Sequence, residues 1–255
     1  MSLIAESRMK ILALEFSSSE RSVAIVQVSR PGPAVESDLL LADKFASAPN
    51  ITSQYNAWKV DEVLESGASG AKVIGMIEAA LCHAQVESEQ IDRLVVGLGP
   101  GSYNGIRLAI AVAQGWQLAS GQEGSKLLGI RSAECITAQG MEEGLAGPVN
   151  VVIDAQRGEF YLAGYEIGPK AWREIEPLRL VTLQEVERRD AAGERFIGPD
   201  VAARLRCGRR VFPRAATLGR LALGRTDFVD GEKLEPIYLR KAAFVKATPP
   251  RQRLE

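Results

Sequence analysis

The side chains in this sequence that are equipped for chemistry are few, and their spacing narrows what that chemistry is. Glu15 follows the apolar run Lys10-Ile-Leu-Ala-Leu, and Asp154 follows Val149-Asn-Val-Val-Ile. Each acid therefore stands at the end of a buried strand, and a turn comes next: Ser17-Ser-Ser-Glu-Arg21 in one case, Ala155-Gln-Arg-Gly158 in the other. A third stretch, Leu94-Val-Val-Gly-Leu-Gly-Pro-Gly-Ser-Tyr-Asn-Gly-Ile-Arg107, reads as a strand, a tight glycine turn and the start of a helix. The first turn of such a helix has backbone N–H groups without partners, which can hold an anion or a neighbouring chain. Two familiar phosphate loops fail on spacing. A P-loop needs Lys and then Ser or Thr after its last glycine, but Gly105 is followed by Ile106-Arg107. The dinucleotide fingerprint finds Ser102 or Asn104 where its third glycine belongs.

Other catalytic types are thinly represented. The single histidine, His83, excludes a two-histidine metal site and falls on a helix of ordinary periodicity, where a structural or exposed role is expected. Cys82, Cys135 and Cys207 are far apart and odd in number, which excludes a disulfide framework and a zinc site and suggests small buried hydrophobes. The formal net charge of −1 argues against a protein that holds nucleic acid unaided. One window runs against that balance. Val201 to Thr226 carries Arg204, Arg206, Arg209, Arg210, Arg214, Arg220 and Arg225 with no Asp or Glu. It is either a field that steers nucleic-acid phosphates, with Arg209 and Arg210 as its candidates, or a solvated face balancing acids elsewhere.

Several elements must position these groups. Lys10–Phe16 and Ser22–Val28 form a hairpin, Leu39–Phe45 supplies a third strand, and residues 46 to 68 read as a long loop. From Ser69, apolar residues Val73, Ile77, Ala80, Leu81 and Ala84 recur at helical spacing. The helix from Ile106 to Ala119 has only Arg107, Gln114 and Gln117 as polar residues, too few for a surface helix, so it needs cover from its own core, a second subunit, or both. Leu127–Ile130 is a strand, and Ser132 is placed to cap the helix after it. Gly140 to Gly147 is a loop. Val149–Asp154, Phe160–Glu166 and Trp172–Val181 then make a second meander. An acid-terminated meander that occurs twice suggests an internal duplication, with lobes at residues 9–121 and 122–255. No stretch reaches the roughly 18 uninterrupted apolar residues of a membrane span, and Met1–Arg8 lacks a signal segment, so cytoplasmic residence is expected.

Two such lobes resemble the duplicated α/β fold of actin, hexokinase and Hsp70 (ASKHA), in which each lobe is a mixed sheet with flanking helices. Within that group, Gly99-Pro-Gly-Ser-Tyr-Asn-Gly-Ile-Arg107 resembles the GPGSFTGLR signature of the TsaB (YeaZ) family, which is related to the M22 glycoprotease-like enzyme TsaD. Gly99, Pro100, Gly101, Ser102, Gly105 and Arg107 match the signature position by position. Weaker matches follow in order: Ile11-Leu-Ala-Leu-Glu-Phe-Ser-Ser18, Asp154-Ala-Gln-Arg157, Ile197-Gly-Pro-Asp200 and Pro236-Ile-Tyr-Leu-Arg240. The chain departs from the family where Glu15 replaces the usual Asp and Tyr103-Asn104 replaces Phe-Thr. The metal-binding His pair of TsaD has no counterpart near Ser69-Gly-Ala-Lys72.

The resemblance implies a non-catalytic partner that activates TsaD. With TsaE, the pair places a threonylcarbamoyl group on the adenosine beside the anticodon of tRNAs reading codons that start with A. It implies no cofactor or metal of the chain's own, ATP used by the wider complex, tRNA within that complex, and a homodimer through the TsaD-binding surface when the chain is alone. On the first-lobe helices, the residues expected at that surface are Val73, Ile77, Leu81, Ile106, Ile110 and Trp116. The alternative is an ATP-dependent phosphotransferase of the same fold, in which Glu15 and Asp154 orient magnesium or a nucleophile and Ser17 contacts a phosphate.

Overall fold

A computed structural model of the chain describes residues 8–29, 58–67, 72–121, 124–200 and 202–239. Its strands are β1 (Arg8–Glu15), β2 (Glu20–Ser29), β3 (Trp58–Ser66), β4 (Arg93–Gly97), β5 (Lys126–Ile130), β6 (Gly147–Asp154), β7 (Glu159–Ile167), β8 (Trp172–Thr182), β9 (Phe196–Gly198) and β10 (Gly208–Arg210). The α-helices are α1 (Val73–Ala84), α2 (Tyr103–Ser120), α3 (Ser132–Glu142), α4 (Leu183–Ala191) and α5 (Ala215–Leu221).

The strands form two five-stranded sheets with one connectivity. The first runs β3-β2-β1-β4-β5 and the second, in the same sense, β8-β7-β6-β9-β10. In both, three antiparallel strands lead to two parallel ones: β1 pairs antiparallel with β2 and parallel with β4, as β6 does with β7 and β9. The duplication is therefore structural. The second copy is reduced, because the place of α2 between the two parallel strands is taken by the three-residue 3-10 turn Ala202–Arg204.

Alternation along the central strands divides the core. Leu12, Leu14, Val23 and Ile25 face α1 and α2, while Ile11, Ala13, Ala24 and Val26 face α5 and Cys135 of α3. In the second sheet, Val151, Ile153, Ala163 and Tyr165 pack on the α3 residues Ala133 and Ile136; Val152, Phe160 and Leu162 pack on Val186 of α4. The layers follow as α1/α2, first sheet, α3/α5, second sheet, α4. The last helix of each half lies against the sheet of the other. This exchange makes the middle layer a shared core and gives each lobe a hydrophobic reason to stay with its partner.

Several expectations need correction. Residues 58–66 are not loop: they form edge strand β3, which pairs with β2 throughout. Edge pairing supplies backbone partners on one side only, so β3 tolerates the charges of Lys59, Asp61, Glu62 and Glu65 that hid it in the sequence. The expected strand Leu39–Phe45 lies outside the described residues, as do Ser69–Ala71. Strand β5 falls after residue 121 yet pairs with β4, so the first sheet extends past the expected lobe boundary to Ile130. Helix α3 runs to Glu142, shortening the loop read from Gly140. Of the cysteines only Cys135 is buried; Cys82 and Cys207 are exposed. No helix among the described residues is long and apolar enough to cross a membrane.

Candidate functional site

The glycine turn sits where the two halves meet, and its glycines are explained by backbone contact. A Cβ on Gly101 would stand 2.1 Å from the Ser17 carbonyl oxygen, and one on Gly105 would stand 2.0 Å from that of Phe16. The Ser102 N–H donates to the Ser17 carbonyl at 2.7 Å, and the Ser102 hydroxyl caps α2 by accepting from the Gly105 N–H at 3.3 Å. Of the two occupants the sequence allowed at this helix start, the neighbouring chain is the β1–β2 turn itself. Gly99 is clamped to α3: its N–H donates to the Ser132 hydroxyl at 3.2 Å, and its carbonyl accepts from the Ser132 N–H at 2.7 Å. Ser132 is thus not the cap of α3, whose N-cap is Arg131.

Glu15 is the centre of this arrangement and does not face the cleft. It is 0% exposed. Its carboxylate accepts the Ser17 N–H at 2.9 Å and the Ser132 hydroxyl at 3.0 Å. Gly97 makes the room, since a Cβ there would lie 2.0 Å from Glu15 Oε2. The glutamate side chain, one methylene longer than an aspartate, carries the carboxyl over that glycine. Burial pushes its pKa above the ordinary 4.5, against the lowering pull of the hydrogen bonds from Ser17 and Ser132. Glu15, which the phosphotransferase alternative would place in the cleft to orient magnesium, is a sealed tie between β1, the glycine turn and α3.

The other two residues expected at a nucleotide site are also engaged in turns. Ser17 is nearly buried, with its N–H on Glu15 and its carbonyl on Ser102. Asp154 is exposed, but its two oxygens accept the backbone N–H and side-chain amide of Gln156, at 2.7 and 3.1 Å. That bond steadies a turn in which Gln156 and Arg157 both take positive φ, 64° and 58°. Among the described residues, no group of three His, Cys, Asp or Glu side chains is placed to hold a metal ion.

Bolts across the halves surround this core. Arg131, preceding α3, reaches Glu174 of β8 through two bonds of 2.9 and 3.2 Å and Glu134 at 2.6 Å. Burial works against the charge of Arg131, and these carboxylates outweigh it, so its pKa is raised. The Ser19 hydroxyl meets Asp200 at 3.4 Å, the Ala215 N–H donates to Ser22 at 2.7 Å, and the Ala216 N–H donates to Glu62 at 3.0 Å.

Beside the turn lies a cluster that sequence reading did not assemble. The Ile237 N–H donates to the Leu98 carbonyl at 2.9 Å, which brings Tyr238 onto Tyr103 with ring centroids 5.2 Å apart. The Arg107 guanidinium covers the Tyr103 ring at 5.1 Å and donates to its hydroxyl. The glycine string and the Pro236-Ile-Tyr-Leu-Arg240 motif, far apart in the chain, are therefore one surface. The signal available was the two motifs' shared tyrosines, which carry no register.

The residues expected at the partner surface face inward. Val73, Ile77, Ile106 and Ile110 are core, between 0% and 5% exposed, and Leu81 and Trp116 are partly buried against that core. The opposite faces of the same helices are open: Ile74 is 61% exposed and Leu118 85%, and the small residues Gly75, Ala111 and Gly115 on these helices are exposed as well. Next to Ile74 in the chain, Gly75 borders a groove of about 610 Å³ that is also lined by Val63, Leu64, Glu65, Lys72 and Met76. Arg209 pairs with Glu143 at 2.8 Å, while Arg210 is exposed.

Paired five-stranded sheets, a duplicated order and exchanged helices define a two-lobe protein of the actin-like class. The family model for TsaD, tRNA N6-adenosine threonylcarbamoyltransferase, matches residues 66–218. The tRNA threonylcarbamoyladenosine biosynthesis protein TsaB of Escherichia coli (strain K12) is 27% identical over 197 residues, 70% of this chain and 83% of that one. Two solved structures from Pseudomonas aeruginosa share the fold: YeaZ, at TM-score 0.66 and 23% identity, and an uncharacterized protein with similarity to peptidase YEAZ, at 0.66 and 22%. Both are covered over 100% of their length by 91% of this chain. The chain belongs to this TsaD-like family, as a member of its TsaB/YeaZ branch.

Proposed function

We propose that this chain is a non-catalytic subunit in the synthesis of threonylcarbamoyladenosine in tRNA, and that it binds and activates a TsaD-type transferase. The observation that carries the reading is the unequal treatment of the first-lobe helices. Their inner faces are sealed in the core, while Ile74 and Leu118 stay open on the same side of the first sheet. Large exposed apolar side chains flanked by Gly75, Ala111 and Gly115 suit a packed helical partner, because small residues let backbones approach closely. The same face would join two copies when the transferase is absent. TsaE, the ATP consumed by the assembly and the tRNA itself then belong to the wider complex.

The phosphotransferase alternative lacks comparable support. It needs Glu15 in the cleft and lobes free to close, whereas Glu15 is sealed and the Arg131–Glu174 bolt spans the halves.

The test is reconstitution with the TsaD-type protein of the same organism. Ile74→Lys with Leu118→Glu should abolish co-elution and the chain's stimulation of tRNA modification, and leave the melting temperature unchanged because both side chains are already solvated. Full co-elution of the double variant would rule this face out. ATP turnover at ordinary kinase rates by the chain alone would return the argument to a phosphotransferase.

A further inference from the structure

The arginine-rich window has a structure that its sequence does not convey. Between Ala202 and Arg214 the chain has five arginines and no acid. Two of them are neutralised locally: Arg209 by Glu143 at 2.8 Å and Arg214 by Glu20 at 3.4 Å. The other three, Arg204, Arg206 and Arg210, are exposed, and among the described residues their guanidinium groups have no hydrogen bond or ion pair.

The backbone that bears them is held fixed. The largely buried carboxylate of Asp190, on α4, accepts the N–H groups of Arg206 and Cys207, both at 3.1 Å. The Leu205 N–H returns to the Ala202 carbonyl at 3.2 Å, and the Gly208 N–H to the Leu205 carbonyl at 3.2 Å. A Cβ on Gly208 would meet the Ala202 carbonyl oxygen at 1.7 Å, so only glycine closes the turn. The chain then enters β10, the edge strand of the second sheet, where Arg210 is carried clear of any further strand. Three unpaired cations thus project from this turn and the edge strand after it, held by backbone bonds that leave their side chains free.

We propose that Arg204, Arg206 and Arg210 form a docking site for the phosphate backbone of RNA. The surface favours a polyanion over a protein partner, because no large hydrophobic side chain is exposed between Ala202 and Arg214, and protein interfaces need an apolar centre. Guanidinium groups suit phosphate through paired N–H donors. The inference rests on the tRNA-modification reading only for which RNA is relevant; the site and its charge stand without it. It also moves the expected tRNA-facing role from Arg209, which is spent on Glu143, to Arg204 and Arg206.

The experiment uses the full chain and an unmodified tRNA transcript, with binding followed by fluorescence anisotropy over a salt series. The Arg204→Glu/Arg206→Glu/Arg210→Glu variant should bind at least about tenfold more weakly at low salt, and the slope of log K against log salt should flatten by about two to three, at close to one counterion per phosphate contact. A control with the same change in net charge, Lys170→Glu/Arg173→Glu/Lys233→Glu, should keep its affinity within about twofold. Co-elution with the TsaD-type partner is measured on the same variant. Retained co-elution with lost tRNA affinity supports the site, and lost co-elution by wild-type chain would fault the functional reading alone. Equal binding by the variant, an equal loss in the control, or competition by polyglutamate as effective as that by tRNA would overturn the proposal.

Discussion

Replacing Glu15 with Gln should make the protein more stable at neutral pH. The side chain is fully buried, and its carboxylate receives the Ser17 N–H and the Ser132 hydroxyl, which itself accepts from Gly99. A glutamine fits the same volume and can keep this network. Its carbonyl takes the Ser17 N–H and the Ser132 hydroxyl proton, and its amide sits over Gly97. What the substitution removes is the cost of a charge away from water. With its native pKa raised above the ordinary 4.5, Glu15 holds more protons folded than unfolded as pH climbs from that value. Its contribution to stability therefore falls with rising pH through the native pKa and is constant beyond it. The difference between variant and wild type should be near zero at pH 4 and grow by up to ~1.4 kcal/mol per pH unit until the native pKa is passed. Urea unfolding of both proteins from pH 4 to 8 measures it. Taking the difference removes the opposite contributions of Glu176, Glu185 and Asp227, whose pKa values lie below the ordinary range in the folded state. A difference that stays flat across that range, or a glutamine variant less stable at pH 7, would refute the reasoning, since the hydrogen bonds would then be holding the ion against its burial.

Gly101→Ala should lower stability by more than about 3 kcal/mol, because its Cβ meets the Ser17 backbone at 2.1 Å from a residue at φ 150° and neither chain can yield cheaply. Melting by circular dichroism reads this, and a loss under about 1 kcal/mol would contradict the close-contact account. Gly115→Ala is the counterpart: nothing lies within 4 Å of its Cβ position, so α2 should gain ~0.5–1 kcal/mol and melt higher, while transferase co-elution weakens if a partner backbone needs that space. Tyr238→Ala should cost about 0.5–1.5 kcal/mol through the lost stack on Tyr103. Amide exchange should also quicken at Ile237, and an unchanged rate there would mean that the segment is held by other contacts.

Local pattern sufficed wherever a residue's role depends on its near neighbours in the chain. The apolar runs before Glu15 and Asp154, the helical spacing from Val73 and the glycine string from Gly97 placed both hairpins, the two first-lobe helices and the turn, because strand alternation and turn chemistry are properties of a few consecutive residues. The repeat of two acid-terminated hairpins was also legible, and with it the two-lobe class. β3 was not, since an edge strand draws its bonds from β2 and needs no apolar signature of its own.

Orientation was beyond the sequence. It shows that α2 has too little polar surface, but not which side of α1 or α2 the first sheet takes, so it does not separate Val73, Ile77, Ile106 and Ile110, which are core, from Ile74 and Leu118, which are exposed. It showed an acid at the end of β1, but whether that acid faces solvent or Ser132, 117 positions away, is decided by the space over Gly97. It shows seven arginines, and only folding brings carboxylates to Arg209, Arg214, Arg220 and Arg225 and leaves the other three bare among the described residues. Burial, charge pairing and the direction of a side chain are set by what packs across the core from distant parts of the chain. Those neighbours exist only once the sheets, the exchanged helices and the returning C-terminal segment have met.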